Sequence, residues 1–250
     1  MKKLTVFCAA ACLAASAAAQ NHPDLHEVLD RQKGRNLIEI PKGTYTLDVR
    51  NNGPYKFHNL TDVHINGNGS TVICNNQEQA FSFYNCVRVE LRDLTIDYDP
   101  LCFTQGEITA VAEDGSWFDV RIDEGYPVTG LAANRVQFYD PQTRLLKRNS
   151  ITTYTSNYSA LKQLGHNLFR AVKNGTWSAG EQVGDLVVMD VKTDKPNAGV
   201  HTVMLNKCYN TKLENVTVYG SNTFSFFEKE GYANEYRNCV VDRGPMPQGI

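Results

Sequence analysis

The sequence is poor in the features that announce most functions. No apolar run reaches the ~20 residues that a membrane-spanning helix requires. There is no glycine-rich phosphate loop, no GxSxG nucleophile elbow and no CxxC pair. His58, His64, His166 and His201 share no metal-ligand spacing. Basic residues form no cluster: 25 Lys and Arg face 27 Asp and Glu, for a formal charge of -2. A mildly acidic chain of this kind excludes nucleic acid as a natural partner. No cofactor and no metal are implied.

What is present begins at the N-terminus. Lys2 and Lys3 precede a mostly apolar run from Leu4 to Ala15, followed by Ser16 and Ala17-Ala18-Ala19-Gln20. A charged start, a short apolar stretch and an A-x-A site predict a secretory signal of bacterial type cleaved after Ala19, and a periplasmic or secreted product. Loss of Lys2 and Lys3 takes the charge from -2 to -4. Five cysteines remain, Cys74, Cys86, Cys102, Cys208 and Cys239. They are widely spaced and odd in number, which fits buried thiols and leaves one disulfide open in an oxidising compartment. Five N-x-S/T sequons, at Asn59, Asn68, Asn157, Asn174 and Asn215, read as strand-and-turn composition.

The chain repeats itself. "NCVRVELRDLTIDY" (85–98) aligns with "KCYNTKLENVTVYG" (207–220): Cys86 meets Cys208, Leu91 meets Leu213, and Leu94-Thr95-Ile96 meets Val216-Thr217-Val218. "YRNCVVDRG" places Asn238-Cys239-Val240-Val241 on Asn215-Val216-Thr217-Val218. Upstream, Val63 and Ile65 fall on Val89 and Leu91. "AFSFYN" (80–85) and "TFSFFE" (223–228) also match, which sets Glu228 where the earlier copy has Asn85. Short alternating strands with Asn/Gly corners, recurring every 22 to 26 residues, are the signature of an all-β solenoid whose stacked rungs bury a common core. "HPDLHEVLDRQKG" (22–34) reads as an amphipathic helix covering the first rung, and "NLIEIPKGTYTLD" as its opening strands.

The rung pattern stops after Pro100 and resumes near Val200. Between them, "QGEITAVAEDGSWFDVRID" is two alternating strands around Asp114-Gly115, and "NRVQFYD" and "DLVVMDV" are further strands. "NYSALKQLGHNLFRAV" is ambiguous. The expected organisation is a signal (1–19), a cap and first rungs (20–100), an inserted antiparallel β domain, barrel or sandwich (101–199), and resumed rungs (200–250).

On a strand, Leu94 and Ile96 face the core, and Thr95, Asp97 and Asp99 face out. Alignment stacks Asp97 on Tyr219 and Tyr219 on Asp242. Two rungs separate the aspartates by about 9.5 Å. Asp97 and Asp99 would lie about 7 Å apart. Both spacings suit the carboxyl pair of an inverting glycosidase, where a water must fit between acid and base. Asp97, Asp242 and Glu228 are therefore the catalytic candidates, and Asp99 and Tyr219 the substrate contacts, with Tyr219 offering a face for a sugar ring. The plainer reading of each carboxylate is a solvated charge on a wet outer face. "EKEG" favours that reading for Glu230.

"IEIPKGTY" resembles the opening rung of right-handed parallel β-helix proteins of the pectate-lyase-like superfamily. "IDYDPLCFTQGEITAV", leading into an inserted domain, resembles glycoside hydrolase family 110. The resemblance covers most of the mature chain and implies an exported, cofactor-free, inverting α-galactosidase acting on an oligo- or polysaccharide. It also implies a further carboxylate-bearing rung, so a chain stopping at "DRGPMPQGI" reads as truncated and inactive alone. The same scaffold serves polysaccharide lyases, which need a basic proton abstractor and often Ca²⁺, and non-catalytic glycan-binding solenoids.

Overall fold

The computed structural model describes residues 22–147, 158–174, 180–191, 201–221 and 223–242, without the side chains of 133–135 and 158–160. The expected signal segment lies outside the described residues.

The chain opens with α1 (Leu25–Asp30), β1 (Leu37–Glu39) and β2 (Thr44–Leu47). Then come α2 (Val49–Asn52), β3 (Tyr55–His58), β4 (Thr61–Cys74), β5 (Phe81–Tyr84) and β6 (Val87–Tyr98). A middle section follows: β7 (Phe103–Val111), β8 (Trp117–Ile122), β9 (Leu131–Tyr139), β10 (Tyr158–Gly165), β11 (Leu168–Lys173) and β12 (Leu186–Val191). The last strands are β13 (Val203–Asn206), β14 (Lys212–Tyr219), β15 (Phe226–Lys229), β16 (Glu235–Arg237) and β17 (Val240–Asp242).

Two parallel sheets form the solenoid. The first runs β1-β4-β6-β14-β16, with β2 also on β4 and β17 also on β14. The second runs β15-β13-β5-β3. Residues of like kind stack from layer to layer. Ile38, Ile65, Leu91, Leu213 and Tyr236 form one inward column; Tyr45, Val72, Ile96, Val218 and Val241 form another. In the second sheet Tyr55, Phe81, Val203 and Phe226 line up. Most are fully buried, and each such side chain contributes roughly 1.5–3 kcal/mol. The outer face carries a threonine ladder, Thr44-Thr71-Thr95-Thr217.

Asparagine explains the corners. A solenoid turn needs left-handed backbone, which costs most residues about 1–2 kcal/mol and Asn less. Asn59, Asn85, Lys207 and Glu230 hold positive φ at one corner; Asp93, Asn215 and Asn238 do so inside the first sheet. Their amides bond upward: Asn85 Nδ2 to Asn59 Oδ1 (2.8 Å), Asn215 Nδ2 to Asp93 Oδ1 (2.8 Å) and Asn238 Nδ2 to Asn215 Oδ1 (3.2 Å).

The N-terminal helix is shorter than the 22–34 span the pattern suggests. Asp24 caps it by accepting from His26 N at 3.0 Å, and regular helix ends at Asp30, ahead of Gly34 at φ +83. Its Leu25 and Leu29 are buried in the solenoid core.

Between β6 and β13 the middle section forms one six-stranded antiparallel sheet, ordered β10-β11-β8-β7-β12-β9, whose two edge strands approach each other. The ambiguous stretch is its β10–β11 hairpin. This sheet has a core of its own, in which Phe118 meets Phe138 edge-on at 5.5 Å.

The ladders correct one alignment. Phe226 pairs with Val203, and Val203 with Phe81, so "TFSFFE" slides by two residues against "AFSFYN". Glu228 therefore stacks on Leu205 and Phe83 in an inward column, and Glu230 takes the corner place of Asn85.

Asn215 bonds the layers on both sides while holding φ +54. Asn215→Ala is expected to lower unfolding free energy by about 1–2 kcal/mol, and Asn215→Gly by less, because glycine restores the backbone term but not the ladder. Urea unfolding of the two variants measures the difference; equal losses would show that the ladder, not the turn, dominates.

Candidate functional site

The root of the inserted sheet is where the predicted residues gather. β6 ends at Tyr98, and the chain leaves the solenoid through Asp99 and Pro100. Leu101 then lies against Gly220, and Cys102 Sγ donates to Gly220 O at 3.6 Å, so the outgoing strand rests on the next layer's corner. Val191 N returns a bond to Cys102 O at 2.7 Å.

The outer column forms as read. Ile96 pairs with Val218, and Tyr219 pairs with Asp242, so Asp97, Tyr219 and Asp242 follow one another on the outer side of the first sheet. Asp97 is half-buried beside Gly220, where an added Cβ would lie 4.0 Å from its Oδ1. Burial pushes the Asp97 carboxyl above its ordinary value; its bond from Tyr98 N (2.7 Å) opposes this, and the Asp99 charge adds to the rise. Asp99 and Asp242 are exposed and Tyr219 is half-buried.

Glu228 does not join them. It points along the column of Phe57, Phe83 and Leu205 at the last layer, where Asn234 Nδ2 donates to Oε1 at 2.9 Å and Tyr236 Oη to Oε2 at 3.4 Å. It lies at the end of β15, on the inward side of the second sheet, whereas the aspartates end strands on the outer side of the first. The three carboxylates do not form one constellation.

Two groups at the root were not foreseen. The first is a buried polar knot under Asp97. Tyr98 Oη donates to Glu78 O (2.9 Å) and meets Thr202 Oγ1 (2.9 Å), which meets Ser221 Oγ (2.9 Å). Gln77 Nε2 donates to Pro100 O, and Asn76 Nδ2 to Glu78 Oε1 (3.1 Å). The knot ties the outgoing strand, the returning strand and both neighbouring layers. Its signal was "NNQEQ" (75–79), a polar run at a corner that other layers cross with fewer polar groups. The second is an exposed aromatic surface where the chain returns. His201 stacks on Phe227 at 4.0 Å and 24°, Phe224 lies near-parallel to Phe227 at 6.0 Å, and Phe224 is 62% exposed.

Bases on the outer face are engaged. Lys212 bonds Glu214 and, at 3.2 Å, Glu90, which also bonds His64 Nδ1 at 2.8 Å. Those carboxylates, Glu214 first, hold the Lys212 ammonium above its ordinary value. Among the described residues no group of three or more His, Cys, Asp or Glu could hold a metal ion.

No protein-family model matches the chain, and no curated protein matches it.

The raised Asp97 pKa has a sign. A carboxyl that binds its proton more tightly folded than unfolded adds stability below about pH 4, and that stability is lost as pH rises through the folded value. Asp97→Asn is therefore expected to match or exceed the wild type at pH 7, by under about 1 kcal/mol, and to lose that advantage toward pH 4. Tm recorded against pH for both proteins checks it; parallel curves would place Asp97 in bulk-like solvent.

Proposed function

We propose that this is an exported carbohydrate-active protein that takes an oligosaccharide along the outer Asp97–Tyr219–Asp242 column at the root of the inserted sheet. The observation that carries the reading is Asp97 itself: a half-buried carboxyl with a raised pKa, stacked on an aromatic and then on an exposed carboxylate. A carboxyl that holds its proton more tightly than usual can donate to a glycosidic oxygen, and an ionised partner can activate water. Two layer spacings apart, the pair spans about 9.5 Å, the inverting arrangement. Tyr219 supplies a ring face beside the acid. The aromatic surface of His201, Phe224 and Phe227, at the other foot of the insert, offers a further place for sugar rings.

The finer reading, an α-galactosidase of the kind found in glycoside hydrolase family 110, rests on the likeness of the "IEIPKGTY" and "IDYDPLCFTQGEITAV" segments and on the interrupted solenoid. Glu228 has no part in it, being exposed on the last layer of the second sheet, away from the column. A lyase finds less support: Lys212 on the same face is engaged by two carboxylates and held protonated, the wrong state for a proton abstractor.

Saturation-transfer NMR with methyl α-galactoside and an α-linked galacto-oligosaccharide tests the proposal. Contacts to sugar ring protons are expected, with affinity falling about tenfold in Tyr219→Ala. Absence of contacts with either sugar would overturn the galactoside reading.

A further inference from the structure

The corner opposite the insert carries two thiols in successive layers. Cys86 lies between β5 and β6, and Cys208 between β13 and β14; both are fully buried. The backbone brackets them tightly. Tyr209 N donates to Cys86 O (2.9 Å), Arg88 N to Tyr209 O (2.9 Å), and Asn85 N to Asn206 O (3.0 Å). Layer spacing then sets the two Cα atoms about 4.8 Å apart, inside the roughly 4.4–6.8 Å range that a disulfide spans. Both side chains lie within this bracket: Cys86 Sγ donates to Phe57 O at 3.0 Å and Cys208 Sγ to Asn206 O at 3.5 Å. In the same column Leu60 precedes Cys86 and Gly231 follows Cys208, so only this step offers two sulfurs. The other three cysteines sit elsewhere: Cys74 between Leu47 and Tyr98, Cys102 beside Gly220, and Cys239 beside Leu213.

We propose that Cys86 and Cys208 are a disulfide site, and that their oxidation locks the layer that carries the insert to the layer after it. The oxidant is an external disulfide, such as oxidised glutathione or the disulfide of an oxidoreductase. The Cys86 thiolate attacks one sulfur of it and releases the first thiol, leaving a mixed disulfide. The Cys208 thiolate then displaces the second thiol and forms the Cys86–Cys208 bond. Two electrons pass to the external disulfide, which departs as two thiols carrying the two protons. Because both sulfurs are buried in the folded chain, exchange takes place during folding or local opening.

The location gives the bond its purpose. β6 and β14 are neighbours in space, but about 120 residues, including the whole inserted sheet, separate them in sequence. The insert leaves from the C-terminal end of β6; the thiols sit at the N-terminal ends of both strands. A cross-link there closes the long loop without touching the candidate site, and long closed loops gain most from cross-linking.

The test uses the whole chain folded in a glutathione redox buffer. Thiols are blocked with iodoacetamide in denaturant, and the unreduced digest is read by mass spectrometry. The expected product joins the Cys86 and Cys208 peptides and disappears on reduction, with Cys74, Cys102 and Cys239 alkylated. The oxidised protein should melt roughly 5–15 °C above the reduced one. Cys86→Ser/Cys208→Ser should lose that redox dependence, and Cys74→Ser/Cys239→Ser should keep it. Alkylation of both Cys86 and Cys208 after oxidation, or linkage of either to another cysteine, would overturn the proposal, and this reading needs no variant to fold.

Discussion

The parallel pairing of β6 with β14 is the interaction on which the rest of the molecule depends. It joins Leu91 to Leu213, Leu94 to Val216 and Ile96 to Val218 across a sequence gap of about 120 residues. Closing so long a loop costs entropy that local structure cannot repay. The compensation comes from apolar columns continuous through the junction and from polar groups that bond only in register: Asn215 to Asp93 at 2.8 Å, Lys212 to Glu90 at 3.2 Å. Because the side-chain period is two, a one-residue slip would turn every column inside out, so this register is strongly specified.

The insert attaches where that pairing leaves room. It departs at the end of β6 and is fastened by a buried knot, Tyr98, Glu78, Thr202 and Ser221, rather than by apolar packing alone. Buried polar groups are tolerated when they are bonded to one another, and such a network specifies one arrangement of the strands it joins. The same knot sets the surroundings of Asp97. The carboxyl lies outside the sheet, yet it is half-buried beside Gly220, and the loss of water raises its pKa. Structure and candidate chemistry thus share one seam.

Much of this was legible in the residues. The repeat of Leu91-x-x-Leu94-x-Ile96 as Leu213-x-x-Val216-x-Val218 predicted the solenoid and its register across the insert, because stacked layers require the same apolar positions. Asp114-Gly115 marked a hairpin that the structure contains, since that pair suits a tight turn. Glu228 was misplaced for a physical reason. "FSF" recurs at 81–83 and 224–226, and aligning the copies keeps every side chain on its proper side. A shift of two residues preserves the alternation, so hydrophobic pattern cannot detect it. Only the ladder, pairing Phe226 rather than Phe224 with the column of Phe81, moved Glu228 from the corner onto the strand and left Phe224 in solvent. The polar knot left only the polar run at 75–79 as a local sign: Glu78, Tyr98, Thr202 and Ser221 come from four separate segments, and nothing local to any of them names the others.

By itself the sequence determined the periodic part: strand alternation, asparagine at left-handed corners, the apolar columns and the point where they are interrupted. Those properties are local or repeat at a fixed period, and steric and hydrophobic rules act on them residue by residue. Tertiary structure alone decided the two-residue choice in the second sheet, the grouping of polar side chains at the insert's root and the burial of Asp97. Each of these depends on which layer lies against which, and that is fixed by hydrogen bonds between chain segments far apart in sequence.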